Sequence, residues 1–364
     1  MPLVTYAQVR PWAKAIREAV LRRRMPPWFA ESGSAKLAND PRLSEHEIAQ
    51  IDAWVNAGAP VGERTSAMPA SPNQDTVYDI EWVMPQPVRV PASGELPYQF
   101  VILPQKIDRE RWARAIEIRP GVRSVVHHVV AYIREPESGW MRDAPTGMPF
   151  ARPGVTTADI LAVYAPGQPP STFPPGMAKR IPAGSGIVLQ IHYTPDGRAH
   201  TDRTAIRIQW ATEPPSKEVL TLQIATTNFR IPAYERSHRV SAYGTMPNDS
   251  LLLSFFPHMH KRGAAFEYAM VRDGGQIDTL LRVSPYDFHW QLNYRLGEPL
   301  PLKKGTRLMC TAWYDNSANN PRNPDPSADV TYGEQSDSEM MVGFFDVAVP
   351  RGTSKQQFFV RERD

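Results

Sequence analysis

The chain has 364 residues, enough for two domains with a small appendage, and its 41 Lys and Arg nearly balance its 38 Asp and Glu, for a formal net charge of +3. The basic residues are scattered rather than banked on one stretch, which leaves no footprint for nucleic acid. Thirty-seven prolines argue against a helical bundle, and a single cysteine, Cys310, excludes an internal disulfide and a thiolate cluster for zinc or iron–sulfur.

Residues 1–20 carry Arg10, Lys14 and Arg17, charges that interrupt the apolar core a signal peptide needs. From Thr5 to Arg24, Val9, Trp12, Ala13, Ile16, Ala19 and Val20 recur at helical spacing. Met25-Pro26-Pro27-Trp28 must end that helix, because a residue before proline avoids helical angles. A second helix starts at Ser44, whose side chain can cap it while Glu47 reaches back, and Gly58 and Pro60 stop it. Residues 1–62 therefore form a small helical segment, and the polar, proline-bearing stretch 63–77 reads as a linker. From residue 78 the pattern is β. Short strands are expected over Val122–Ile133, Gly186–Tyr193, Thr204–Trp210, Ser250–Phe256, Phe266–Arg272 and Arg307–Tyr314, separated by Pro, Gly, Asn and Asp. The longest compact apolar run, Leu251 to Phe256, suits a buried strand and is far short of a membrane span. The spacing predicts a mainly β protein of tandem antiparallel β-sandwich domains. A break at Glu213-Pro214-Pro215-Ser216-Lys217 divides it into 78–214 and 215–364.

Five of nine histidines fall in three tight patterns. His127-His128 lies inside Val125-Val126-His127-His128-Val129-Val130. His192 ends Leu189-Gln190-Ile191-His192. His258-Met259-His260 follows Phe255-Phe256-Pro257. Histidine is seldom placed in the middle of an apolar strand without a partner, and a metal ion supplies one. His258 and His260 share a strand face at i and i+2, so they can chelate one ion. His127 and His128 face opposite sides of a regular strand, and joint ligation there needs a bulge or a strand end. The ordinary alternative for a lone buried histidine such as His192 is a hydrogen-bonded core residue. His46, His200, His238 and His289 sit in polar or turn-rich surroundings and carry that ordinary reading. Gln190, two residues before His192, is a candidate to orient it. Met340 precedes the apolar strand Val342–Val347. A strand methionine normally fills core, but near two histidines its thioether suits Cu(I).

In order along the chain, His127-His128, Gln190-Ile191-His192-Tyr193, His258-Met259-His260 and Glu339-Met340 resemble the copper type II, ascorbate-dependent monooxygenases, over roughly residues 78–350. The resemblance implies a jelly-roll-like domain for each of two copper ions, with a solvent-filled cleft between them. It implies that His127, His128 and His192 hold an electron-storing copper. His258, His260 and Met340 would hold the copper at which O2 and a substrate C–H bond meet. Ascorbate or another one-electron reductant would supply electrons, from an electron-donor partner where one exists. The site of action would be periplasmic or extracellular, in a bacterial, secreted protein.

Family members that act on peptidylglycine clamp the substrate carboxylate from positions that are Phe256, Val342 and Phe344 here. These apolar replacements point to a weakly polar small-molecule substrate rather than a glycine-extended peptide. A second resemblance, to the rear half of a c-type cytochrome module, rests on Met25-Pro26-Pro27-Trp28, Asn39-Asp40-Pro41-Arg42-Leu43-Ser44 and Trp54-Val55-Asn56-Ala57-Gly58-Ala59-Pro60. It implies a chain that begins inside a longer protein, with Met25 in the place of an axial ligand. Without a Cys-x-x-Cys-His motif this chain cannot tether haem covalently, and residues 1–62 read best as a helical brace on the β domains. The leading expectation is a copper-dependent monooxygenase. A copper-binding or electron-transfer protein on the same scaffold is the alternative, and a zinc hydrolase using the three-histidine set comes third.

Overall fold

The computed structural model describes residue 3 and residues 5–31, 35–62, 77–152 and 158–354; of the expected linker only residue 77 falls among them. The amino-terminal helix opens at Thr5 and is interrupted at Pro11. A turn over Tyr6–Val9 passes through a 3-10 segment, Arg10–Trp12, into the helix Ala13–Leu21. The second helix, Glu45–Asn56, carries the expected capping box. Ser44 Oγ accepts from the Glu47 N–H, and Glu47 Oε2 accepts from the Ser44 N–H at 2.7 Å. The stretch after the first helix is what meets the β region. Trp28, Phe29 and Leu37 pack on its core, and Ala30 and Leu37 bridge to Val283 and Leu296.

The rest is mainly β. The expected strands Gly186–Tyr193 and Arg307–Tyr314 form with those bounds, while others shift by a few residues, as in Val126–Arg134, Ala205–Trp210 and Gly263–Val271. The two carboxy-terminal strands of the site, Ser250–His258 and Met341–Pro350, run longer than their apolar runs alone suggest, because each pairs along its length with a partner. In the first half, a five-stranded antiparallel sheet runs in the order Phe150–Ala151, Gln99–Lys106, Gly186–Tyr193, Val126–Arg134, Asp159–Tyr164. Its inward residues Val101, Leu103, Val129 and Leu189 meet Ile116 and Ile206 of a second sheet to form one core. In the second half, His238–Thr245, Arg307–Tyr314, Gly263–Val271 and Ile277–Val283 form a four-stranded sheet. Phe266, Tyr268 and Cys310 from it meet Leu252, Phe255 and Phe345 in a separate core.

One sheet faces both cores. Its path runs Ile80–Val83, Ala205–Trp210, Arg111–Arg119, Met177–Ile181, Lys217–Thr226, Met341–Pro350, Ser250–His258, Tyr294–Leu302. The halves join where Lys217 and Glu218 pair in parallel with Met177 and Ala178, immediately after the expected break. Two cores and one shared sheet hold the histidine-bearing strands of both halves against each other.

Candidate metal centre

The His127-His128 strand solves its own facing problem with a bulge. His192 pairs with His128, but Tyr193 pairs with Val126, so His127 is the extra residue. A bulge turns the strand locally, and both adjacent imidazoles reach one side. Their rings lie 5.4 Å apart, and each is close to His192, at 5.2 Å from His127 and 5.0 Å from His128. The ligand atoms of the three all lie within 4.8 Å of one another. Nδ1 of His127 is 3.1 Å from Nδ1 of His128. Two nitrogens on one ion at about 2.0 Å each stand about 3 Å apart, so the spacing suits shared ligation. His192 Nδ1 is buried without a hydrogen-bond partner, the condition a metal relieves; His127 Nε2 is also unpartnered, on the ring edge away from His128.

Desolvation is the largest influence on all three. It lowers His127 to about 2 and His192 to about 4, and puts His128 well below the ordinary histidine value. Neighbouring imidazoles push the same way, because a second cation beside the first is unfavourable. The trio is therefore neutral near pH 7, the form that binds metal. Gln190, expected to orient His192, instead accepts a hydrogen bond from the Tyr132 hydroxyl at 3.1 Å.

The second cluster is held by its hydrogen bonds. His258 closes its strand, and its ring lies 5.3 Å from that of His260 at 88°. His258 Nδ1 is 2.7 Å from Gln291 Oε1, and His260 Nδ1 is 3.1 Å from the Ser338 carbonyl. Both partners are acceptors as placed, so each Nδ1 carries the proton and each Nε2 lone pair is free. His260 Nε2 is buried and unpartnered. Desolvation lowers His258, with Gln291 opposing, and brings His260 to about 3. The turn is pinned from both sides. The Tyr286 hydroxyl accepts from the Met259 N–H at 3.0 Å and donates to its carbonyl at 2.9 Å. The fully buried Glu339 carboxylate accepts from the backbone N–H groups of His260 (2.8 Å) and Arg262 (2.6 Å). Burial raises that carboxyl to about 8 against those hydrogen bonds. Met340 follows Glu339. Met340 immediately precedes the strand that begins at Met341, and its carbonyl accepts from the Tyr314 hydroxyl at 2.7 Å. Phe344, two residues beyond the Val342 that pairs with His258, has its ring 6.5 Å from that of His258.

Where the resemblance implied a solvent-filled cleft, side chains close the space between the two clusters, and a cavity between the halves remains beside His192. The His128 and His258 rings are 6.0 Å apart, and Phe288 stacks on His127 at 4.4 Å. His289, given an ordinary reading from sequence, lies 5.5 Å from His127. With His192, Lys261 and Arg322 it also lines a cavity of about 300 Å³. Tyr98, whose ring is 4.7 Å from His192, was likewise silent in the sequence, as were Tyr286 and Gln291. Each comes from a segment far along the chain, and no local pattern marks it. His46, His200 and His238 are not among the groups described around either cluster.

The geometry defines a mainly β protein with two adjoining histidine clusters, with a buried, unpartnered imidazole nitrogen at His192 in the first and at His260 in the second. Residues 217–345 match the family model described as copper type II ascorbate-dependent monooxygenase, C-terminal domain. MOXD1 homolog 1 of Drosophila melanogaster is 22% identical over 222 residues, covering 53% of this chain and 32% of the relative, so the match spans about a third of that protein's length. Both findings point to similarity with the copper type II monooxygenases, the family model over residues 217–345 only. Among solved structures, the STIV MCP is 10% identical with a TM-score of 0.31, covering 75% of this chain and 95% of that one. The infectious bursal disease virus Gt strain structure is 8% identical with a TM-score of 0.20, covering 78% and 76%. Likeness at that level carries no argument. No helix of the described residues is long and apolar enough to cross a membrane.

Proposed function

We propose that the chain is a copper-dependent monooxygenase that hydroxylates a C–H bond of a weakly polar organic molecule, using O2 and an external one-electron reductant such as ascorbate, outside the cytoplasm. His127, His128 and His192 would hold one copper ion, and His258, His260 and Met340 the other. Each half, 78–214 and 215–364, would act as the domain for one ion. Bound there, copper supplies one-electron transfer and activation of O2. The chain's own residues set the conditions. Gln291 and the Ser338 carbonyl fix the tautomers of His258 and His260, and Glu339 and Tyr286 hold the turn between them. Phe288 and Phe344 keep the neighbourhood apolar. The cavity at His192 offers an external reductant a route to the first cluster.

The single observation that carries the proposal is the convergence of buried, unpartnered imidazole nitrogens from both halves, at His192 and His260, beside the close pair His127 and His128. The test is oxygen uptake by the copper-loaded protein with ascorbate, with and without candidate substrates. Uptake that rises with substrate and yields a hydroxylated product is expected. Copper binding with no substrate-coupled uptake in any screen would favour the non-catalytic copper-binding alternative.

A further inference from the structure

Away from the histidines, a cavity of about 380 Å³ lies where the amino-terminal segment and both halves meet. Three polar atoms on its wall are buried without a hydrogen-bond partner: Gln168 Oε1, Asn293 Oδ1 and Arg295 Nε. Buried polar groups are nearly always satisfied; here Arg295 Nε lacks an acceptor, while the two amide oxygens lack donors, which water in the cavity can supply. Arg295 is the telling one. Among the described residues its guanidinium has no ion pair, although Asp346 lines the same cavity. Asp346 is engaged elsewhere, accepting from Thr221 Oγ1 (2.5 Å) and Ser254 Oγ (3.0 Å) with Lys179 Nζ 3.6 Å away. The cation left over belongs to Arg295, and Phe173, Leu253, Leu296 and several prolines make most of the remaining wall.

The cavity points toward the second cluster. Its inner end shares Ser171, Ser254, Asn293 and Asp346 with a narrow space of about 20 Å³ that reaches Phe256 and Phe344. Ser254, Phe256 and His258 are successive residues of one face of one strand. Their partners are Asp346, Phe344 and Val342, which set a polar rung, an aromatic rung and the histidine rung in a line. Arg295 pairs with Ser254 at the polar rung. Four residues of strand put His258 about 13 Å further on.

We infer that this cavity binds a carboxylate-bearing, otherwise apolar, unbranched molecule, with the carboxylate on Arg295 and the chain directed past Phe256 and Phe344 toward His258. An Arg–carboxylate contact is directional and strong in such a setting, and the space of about 20 Å³ between Phe256 and Phe344 takes a slender chain only if those rings rotate, which excludes a bulky end. The unpartnered oxygens of Gln168 and Asn293 are acceptors like the carboxylate, so they meet the head only through water that donates to both. Binding of the carboxylate stands on the cavity alone. The direction of the chain as a substrate rests on the function proposed above.

The test uses octanoate and octan-1-ol on the full chain. Titration calorimetry of the metal-free protein is expected to show octanoate binding that Arg295→Gln weakens tenfold or more, that Arg295→Lys partly restores, and octanol binding that neither changes. Unaltered circular dichroism and melting show that the variants fold. In the copper(II)-loaded protein, paramagnetic broadening of octanoate protons is expected to be greatest at the terminal methyl and least beside the carboxylate. Octanoate binding indifferent to Arg295 overturns the site. The reverse broadening order overturns the direction. Arg295-dependent binding in a protein that takes up no copper sinks the metal reading instead and leaves the carboxylate site standing.

Discussion

Met340 is the residue on which the chemistry proposed for the second cluster turns, because its thioether would be the soft donor beside the two imidazoles. Met340→Ile keeps an apolar side chain of similar volume in the same place, so the fold is expected to survive, with melting within a few degrees of the parent. Substrate-coupled oxygen uptake by the copper-loaded protein is expected to disappear. Full activity in the variant would remove Met340 from the site. The five histidines that the fold brings together were legible in the sequence, because histidine in or beside an apolar strand is out of place without a partner. His289, Tyr98, Gln291 and Arg295 were not. Each is an ordinary residue in its local setting and gains meaning from a neighbour up to about 160 positions away, as His289 does from His127.

At the scale of elements, two local devices convert regular strands into ligand sets. The bulge at His127 turns adjacent imidazoles to one side, and its need, though not its register, followed from the two-residue period of a strand. The turn His258-Met259-His260 leaves its strand and is fixed by Tyr286 and Glu339, from segments well removed in sequence. Tyr286→Phe removes a buried hydroxyl that both accepts from and donates to Met259, leaving two backbone groups unpaired. The expected cost is about 1–3 kcal/mol of stability by denaturant titration. Copper affinity should fall at the second cluster and stay unchanged at the first, which electron paramagnetic resonance of copper(II) can resolve. Equal loss at both would mean that the turn is not what Tyr286 holds. The strand Gly186–Tyr193 was read correctly end to end, since Ile187, Val188 and Ile191 make it apolar and β-branched between Gly186 and Pro195.

For the whole molecule, the break at residues 213–217 separates the two largest hydrophobic cores, while a small cluster of Val219, Leu253 and Ala348 with Phe173 and Met177, and one sheet, run across it. The parallel pairing of Lys217 and Glu218 with Met177 and Ala178 carries one sheet across it, and Lys179 bonds to Thr221 across the same junction. Such a crossing is invisible to composition, because strand order depends on partners chosen over long range. It predicts a single cooperative unfolding transition by calorimetry, with the two halves melting together; two resolved transitions would mean that the shared sheet contributes little coupling. It also explains how the two clusters come to adjoin, with His128 and His258 brought to 6.0 Å from opposite sides of that junction.

Copper content per chain is the most direct test of the account. After anaerobic loading with Cu(I) and removal of excess metal, elemental analysis is expected to give two copper ions per chain, falling to one when His192 or His260 is replaced by alanine. One ion in the parent protein would leave a single working cluster, and none, or zinc in its place, would contradict the account.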